Sequence, residues 1–236
     1  MNDGTRAHGY TPQPAAVPQT ITVPIPGATS VLAGDLTVPG NATGLVIFAH
    51  GSGSSRLSPR NRLVAQVLQS YGLATLLFDL LTPAEEMADA ETACLRFDIP
   101  LLAARLAAVT AWVATQPRLR GLPIGYFGAS TGAAAALVTA ADTPTAVAAV
   151  VSRGGRPDLA ADRLQAVRAP TLLIVGECDP VVIGLNIEAR RKLGAHSAMK
   201  VVPHATHLFP EPGTLEEVAR LTAEWFARYL RPAPSA

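Results

Sequence analysis

Short apolar runs alternate with helix-like segments along most of the chain, and this alternation limits the possible folds more than any other feature. The first clear run covers residues 45–49, where five apolar residues follow one another without a polar one. Such a run is typical of a parallel strand that is covered on both faces. Further runs lie at 73–78, 123–128, 147–151, 171–175 and 199–202. We therefore predict an α/β fold, a mostly parallel sheet with helices on both faces.

Between these runs, apolar residues recur at the spacing of a helix. Helices are predicted from Ser58-Pro59 onward and at 102–113, 133–141, 159–167, 186–193 and 215–229. Two strands at 20–25 and 30–38, separated by Pro26-Gly27, come before the alternation. Residues 20–236 are predicted to form one domain, and the proline-containing stretch 1–19 a flexible tail. No cap domain is expected, because the connection at 151–171 is short and the polar segment 79–98 has the composition of a loop.

Composition excludes several functional classes. The formal net charge is +1 and the basic residues are scattered, so a nucleic-acid partner is not expected. No apolar stretch is long enough to span a bilayer and no signal peptide is visible. These features predict a cytoplasmic protein without a membrane partner, and a secreted protein whose signal peptide has been removed is the alternative. Cys94 and Cys178 lie far apart in the chain and are expected to be free, buried thiols.

The pentapeptide Gly128-Ala129-Ser130-Thr131-Gly132 lies where a predicted strand turns into a predicted helix. A serine in the middle of G-x-S-x-G is held at a sharp turn, which requires small residues two positions away on either side. In this context the motif indicates a nucleophilic serine, Ser130. The alternative is an ordinary glycine-rich turn between a strand and a helix.

A nucleophilic serine needs a histidine base and a carboxylate that orients the histidine. His204 and His207 both follow the last predicted strand, and His207 is preferred because it lies just ahead of the final helix. Glu177 and Asp179 both follow the strand at 171–175, and Asp179 is preferred because it lies further beyond the strand end. The order serine, aspartate, histidine along the chain is that of α/β-hydrolases.

Acyl transfer also needs hydrogen-bond donors for the negatively charged oxygen of the transition state. The N–H of Thr131, directly after the serine, is one candidate. The loop His50-Gly51-Ser52-Gly53-Ser54-Ser55 is expected to supply the other, from Ser52 or alternatively from Gly53, which is also a candidate substrate contact. A phosphate cradle is the alternative for this loop, but the Gly-Lys-Ser/Thr ending of a P-loop is missing.

Four segments in this order resemble the α/β-hydrolase superfamily and, within it, the dienelactone-hydrolase-like branch. They are 50–53, 128–132, 176–179 and 206–209, and the resemblance extends over about residues 20–230. It implies the α/β-hydrolase fold and an acyl-enzyme on Ser130, with no cofactor and no metal. Dienelactone hydrolases proper carry cysteine as the nucleophile, so the serine favours a carboxylesterase acting on small esters or lactones. The alternative is a non-catalytic member that binds a ligand or a partner protein.

Three further features concern charged residues and a cysteine. Arg153 and Arg156 follow a predicted strand and could meet a carboxylate of the substrate, or they could form surface salt bridges. Arg96 and Asp98 are expected to pair with each other. Cys178 could be oxidised with loss of activity, or it could be an inert packed thiol.

Overall fold

A computed structural model of the chain describes residues 17, 19–24, 30–193 and 196–231. Nearly all of the predicted tail 1–19 lies outside the described residues, so that expectation stays a prediction. The described strands form one eight-stranded sheet in the order β1-β2-β4-β3-β5-β6-β7-β8. The strands are β1 (Gln19–Pro24), β2 (Val31–Thr37), β3 (Leu45–Ala49), β4 (Ala74–Phe78), β5 (Ile124–Ala129), β6 (Ala149–Arg153), β7 (Thr171–Gly176) and β8 (Ser197–Val202).

The sheet is parallel from β4 to β8, and only the pairs β1–β2 and β2–β4 are antiparallel. Among the described residues, six α-helices connect or follow the strands: α1 (Pro59–Ser70), α2 (Pro83–Thr92), α3 (Ile99–Thr115), α4 (Thr131–Asp142), α5 (Pro180–Leu193) and α6 (Thr214–Tyr229). One apolar cluster lies between the sheet and α3, α4 and α5, and a second lies between the sheet and α1 and α6. The predicted α/β fold with helices on both faces is confirmed. Because β3 to β8 run in the same direction, their carboxyl ends all lie at one edge of the sheet.

The segment 79–98 is more ordered than the predicted loop. Thr82 and Glu85 form a capping box, in which Thr82 Oγ1 accepts from the N–H of Glu85 and Glu85 Oε2 accepts from the N–H of Thr82. The capped segment is helix α2, and a 3₁₀ turn at Leu95–Phe97 follows it. The prediction failed because α2 is short and polar, so it lacks the apolar periodicity that marks a core helix. In the described part of the chain no separate domain is inserted between strands.

Some predicted bounds and one predicted helix type were wrong. Strand β6 ends at Arg153, two residues later than predicted, and α5 begins at Pro180, six residues earlier. The helix predicted at 159–167 is a 3₁₀ segment, Pro157–Ala166, which is kinked at Ala161. Helix α5 begins early because Pro180 suits a first helical position and Asp179 Oδ1 accepts from the N–H of Val182 at 3.4 Å.

Helix α6 packs against the sheet through a fully buried phenylalanine, Phe226. Its ring occupies the space over Gly125 of β5, where an added Cβ would lie only 2.6 Å from Phe226 Cε1. A side chain on β5 and the phenylalanine ring therefore exclude each other, and the glycine fixes how closely the helix approaches the sheet.

Replacing Phe226 by alanine should lower the free energy of unfolding by about 3–5 kcal/mol, because the buried ring leaves a cavity. The matched control is Phe97→Ala, since the Phe97 side chain is about half exposed and its loss should cost far less. Urea unfolding followed by circular dichroism measures both changes. Equal losses for the two variants would contradict this account of the core.

Candidate functional site

Ser130 occupies a strained turn between β5 and α4. Its backbone angles are φ 50° and ψ −120°, a conformation that a residue with a side chain adopts only when its surroundings enforce it. Gly128 and Gly132 make this possible. An added Cβ at position 132 would lie 2.2 Å from the carbonyl oxygen of Ala49, and one at position 128 would lie 2.4 Å from the Cα of Ala133. The two glycines therefore let the turn press against the end of β3.

Hydrogen bonds hold the backbone of Ser130 on both sides. Its N–H donates to the carbonyl of Arg153 at 3.3 Å, and its carbonyl accepts from the N–H groups of Ala133 and Arg156. Gly51 also lies against it, because an added Cβ at position 51 would be 2.9 Å from Ser130 Cβ. The turn is thus fixed by the ends of β3 and β6, its two neighbours in the sheet.

The structure brings His207 and Asp179 together. His207 Nδ1 lies 2.7 Å from Asp179 Oδ2, and the aspartate side chain is largely buried. The loops after β7 and β8 meet here, since the N–H of Cys178 donates to the carbonyl of Ala205 at 2.9 Å. A carboxylate accepts, so the proton of the neutral imidazole resides on Nδ1. Nε2 then carries a lone pair and can accept a proton.

Gly154 connects the histidine to the serine. An added Cβ at position 154 would lie 3.6 Å from Nδ1 of His207 and 3.1 Å from its carbonyl oxygen. The preceding residue, Arg153, accepts the hydrogen bond from the N–H of Ser130. His207 and Ser130 therefore both flank the end of β6. Gly154, at φ 52°, leaves room for the imidazole, a role that sequence reasoning missed although Gly154-Gly155 was visible.

The alternative candidates lie elsewhere. The His204 side chain is 91% exposed, and Glu177 accepts from the backbone N–H of His204 at 2.7 Å instead of contacting His207. Cys178 and Cys94 are both exposed and free, so the expectation of buried thiols was wrong. Both thiols are exposed because they lie outside the packed strands and helices. Cys178 lies in the loop after β7, and Cys94 lies in the turn after α2.

Ser52 and Thr131, the two residues predicted to supply N–H donors, are neighbours. Their hydroxyl oxygens lie 3.2 Å apart. Within the described part of the chain, neither backbone N–H has a hydrogen-bond partner. Two unused donors beside a strained serine can receive an oxygen that gains negative charge. Gly53 follows at φ 62°, in the left-handed region, and an added Cβ there would lie 3.9 Å from Nη1 of Arg96.

His50 has a structural role that the sequence did not reveal. Its Nε2 accepts from the N–H of Leu80 at 2.9 Å, and its Nδ1 donates to the carbonyl of Gly51 at 3.0 Å. Burial lowers the pKa of His50, which favours the neutral ring that this pair of bonds requires. The side chain thereby joins the loop after β3 to the chain that leaves β4. The sequence offered one signal, a histidine at a strand end.

A cavity of about 520 Å³ lies beside Ser52 and Thr131. The 50–55 loop, the start of α1 and the segment from Leu80 to Leu102 form its walls, so the segment around α2 covers one side. Arg96 lines it and pairs with Asp89, Nε to Oδ2 at 2.6 Å. The expected pair with Asp98 was wrong, because Asp98 accepts from the N–H of Leu101 as the cap of α3.

The two arginines at the end of β6 differ in burial and in their partners. Arg156 forms a salt bridge with Asp158 at 2.8 Å, as one of the two interpretations proposed. Arg153 is only 6% exposed, so a surface salt bridge is wrong for this residue. Its Nη2 donates to Asn61 Oδ1 at 3.3 Å and its guanidinium lies 5.9 Å from the centre of the Phe209 ring. Burial, together with the charge of Arg60, lowers the pKa of Arg153 to about 10. Its predicted contact with substrate stays a prediction.

Residues 32–230 match the model of the dienelactone hydrolase family. The chain belongs to this family. A dienelactone hydrolase from Anabaena variabilis is 56% identical, with a TM-score of 0.87 over 91% of this chain and 99% of that one. An α/β serine hydrolase without lid from Xanthomonas campestris is 19% identical, with a TM-score of 0.72 over 96% and 100% of the two chains. The second likeness shows the fold alone.

The curated relatives are longer. Two proteins from strains of Mycobacterium tuberculosis, provisionally named phosphoribosyl transferases, are 59% identical over 218 residues. The match covers 92% of this family member and 47% of each relative, so the chain spans about half the length of those proteins. Across the described ranges, no helix is both long and apolar enough to cross a membrane. The same residues contain no group of three potential metal-binding side chains.

The neutral state of His50 should appear in the pH dependence of stability. Because folding lowers its pKa, the unfolded chain binds a proton below about pH 6.5 that the folded chain does not. This contribution to stability is complete above that pH and decreases as the pH falls. Between pH 7 and pH 5 the wild type should therefore lose more unfolding free energy than His50→Gln.

Urea unfolding at several pH values measures this difference, and His196→Gln serves as the control because His196 is exposed. Above pH 7, the unfolding free energies of the two variants should change with pH to the same extent. A His50→Gln protein with the same acid sensitivity as His196→Gln would contradict the buried neutral ring.

Proposed function

We propose that this chain is a serine hydrolase that cleaves small carboxylic esters or lactones through an acyl-enzyme on Ser130. The observation that carries the proposal is the 2.7 Å bond between Asp179 and Nδ1 of His207, which leaves Nε2 available as a base, at the same sheet edge as the strained Ser130. Membership of the dienelactone hydrolase family supports hydrolysis as the reaction class. The finer assignment, a carboxylesterase, rests on the serine at position 130.

The proposed reaction has two halves. His207 Nε2 takes the proton from Ser130 Oγ while Oγ attacks the carbonyl carbon of the ester. The carbonyl electron pair moves to oxygen, where the N–H groups of Ser52 and Thr131 stabilise the charge. When the intermediate collapses, the bond to the leaving oxygen breaks and His207 gives its proton to that oxygen. A water molecule then attacks the acyl-enzyme by the same route and frees Ser130.

In this scheme Asp179 acts on the histidine and not on the substrate. It keeps the proton of the neutral imidazole on Nδ1 and stabilises the imidazolium that forms after proton transfer. The reaction as proposed uses only side chains, backbone N–H groups and water, in keeping with the expectation that no cofactor takes part.

The alternative of a non-catalytic binding protein is less favoured. A strained backbone at Ser130 costs about 1–3 kcal/mol, and a ligand-binding module gains nothing from it. Phosphoribosyl transfer, the activity in the name of the longer relatives, belongs to proteins of twice this length. We assign to this chain the hydrolytic chemistry that its own side chains support.

Ser130→Ala should abolish labelling by a fluorophosphonate probe and reduce kcat for p-nitrophenyl acetate by at least 10³-fold, because the nucleophile is lost. Ser70→Ala is the control, since Ser70 lies at the end of α1 and its hydroxyl donates to the carbonyl of Val67. Labelling that persists in folded Ser130→Ala, or a residual activity above a few per cent, would overturn the assignment.

Asp179→Asn should lower kcat by about 10³–10⁴-fold. The asparagine amide donates a hydrogen bond to Nδ1 and so favours the tautomer that carries its proton on Nε2. Glu177→Gln is the matched control, a carboxylate-to-amide change two residues away at a side chain that binds the N–H of His204. It should change kcat less than threefold. Similar losses in both variants would show that Asp179 does not orient the base.

A further inference from the structure

The chain that leaves β6 contacts both the proposed nucleophile and its proposed base. We call residues 153–156 the β6 turn. The carbonyl of its first residue accepts from the N–H of Ser130 at 3.3 Å, and the N–H of its last residue donates to the carbonyl of Ser130 at 3.1 Å. Gly154 lies against the imidazole of His207, because an added Cβ there would be 3.6 Å from Nδ1. The position of the β6 turn therefore affects how the serine and the histidine lie relative to each other.

A buried amide on α5 holds this turn from the other side. Asn186 is fully buried, and its Nδ2 donates to the carbonyl of Gly155 at 3.0 Å and to the carbonyl of Val182 at 2.8 Å. Both partners are acceptors, so the nitrogen end of the amide must face them. The buried Oδ1 has no hydrogen-bond partner among the described residues, which offsets part of the stability that the two bonds contribute.

The β6 turn needs such a contact because Gly154 and Gly155 allow it many backbone conformations. Packing restricts Gly155 on one side, since an added Cβ there would lie 2.0 Å from Ser152 Oγ and 2.7 Å from Ala133 Cβ. Among the described residues, the bond from Asn186 is the only hydrogen bond of Gly155. The buried amide is therefore the polar contact that fixes the direction of the Gly155 carbonyl.

A single peptide unit connects Asn186 to the serine. The carbonyl of Gly155 and the N–H of Arg156 belong to the same peptide bond, which is planar and rigid. Its oxygen accepts from Asn186, and its N–H donates to the carbonyl of Ser130 at 3.1 Å. Rotation of this peptide unit would break both bonds. Loss of the bond on the Asn186 side thus frees the group that holds the backbone of Ser130.

The same amide also reaches the segment that carries the proposed carboxylate. Asp179 lies directly before α5, and its Oδ1 accepts from the N–H of Val182 at 3.4 Å. The carbonyl of Val182 accepts from Asn186. Asn186 therefore joins the beginning of α5, next to Asp179, to the turn that holds Ser130 and flanks His207.

We propose that Asn186 is a positioning residue for the serine–histidine pair, which it holds in place through its bond to the carbonyl of Gly155. This inference rests on the proposed hydrolase function. Asn186 does not line the cavity beside the proposed N–H donors, so its loss should slow the chemical step without weakening substrate binding. Small displacements of reacting groups are enough for this, because a shift of about 1 Å can cost about 10²-fold in rate.

Asn186→Leu should lower kcat for p-nitrophenyl acetate at least tenfold and change KM less than threefold, because leucine cannot donate to the Gly155 carbonyl. Thr139→Val is the matched control. Buried Thr139 donates to the carbonyl of Ala103 on a neighbouring helix at 3.1 Å and to that of Ala135, four residues earlier, at 2.9 Å. The control thus loses the same two kinds of bond.

Urea unfolding should show that both variants are less stable than the wild type, whereas kcat should change less than twofold in Thr139→Val. Asn186→Ser keeps the experiment decisive if the leucine variant does not fold. A serine hydroxyl can donate to the carbonyl four residues earlier, but it is shorter than the amide and does not reach Gly155. Its kcat should also fall at least tenfold. A kcat within twofold of wild type in a folded Asn186 variant, or an equal loss in Thr139→Val, would overturn the proposal.

Amide hydrogen exchange, followed by NMR on the full chain, tests the placement of the turn without a substrate. The N–H groups of Ser130 and Arg156 close the bonds between the serine and the β6 turn. They should exchange at least tenfold faster in Asn186→Leu than in Thr139→Val. Equal exchange in the two variants would reject the positioning role even in an active enzyme. Faster exchange, together with a wild type that neither hydrolyses the ester nor reacts with a fluorophosphonate, would reject the hydrolase function and retain the anchoring of the turn.

Discussion

The close contact between the Ser130 turn and the end of β3 is the constraint on which the rest of the site depends. An added Cβ at position 132 would lie 2.2 Å from the carbonyl oxygen of Ala49 and 2.4 Å from that of His50. Only a glycine allows this approach, and the approach keeps Ser130 at φ 50°. It also places Thr131 beside Ser52, so the strained serine and the two unused N–H groups result from one packing contact.

The loops after β3, β7 and β8 are fixed by side chains and backbone at the same sheet edge. His50 joins the loop after β3 to Leu80, and the loop after β7 is bonded to the loop after β8 through Cys178 and Ala205. Loops are the usual place for reactive residues, provided that a rigid scaffold positions them. Here the buried parallel strands supply that scaffold, and a small number of hydrogen bonds fix the loop residues relative to it.

The fold could be predicted because its signals are local. Apolar runs separated by helical spacing define the parallel sheet, and the G-x-S-x-G pentapeptide locates the turn at Ser130. Helix α2 was missed because its only strong signal is the capping box of Thr82 and Glu85, which lies in a polar stretch. The surroundings of Arg153 could not be predicted, because its partners Asn61 and Phe209 are distant in sequence and meet it only in the folded chain.

Burial of Arg153 without a carboxylate requires an explanation beyond stability. A buried cation loses its hydration, and a single hydrogen bond to a neutral amide replaces little of it. Val151, two residues earlier on the same face, belongs to the apolar cluster that contains Phe209, so an apolar side chain at the end of β6 would be buried at lower cost. A second cation at Arg60 adds repulsion that the fold does not need. The contact of the guanidinium with the Phe209 ring, 5.9 Å from the ring centre, offsets part of this cost. The hydrogen bond from Arg153 Nη2 to Asn61 Oδ1 joins the end of β6 to the first turn of α1, beside the loop that carries Ser52.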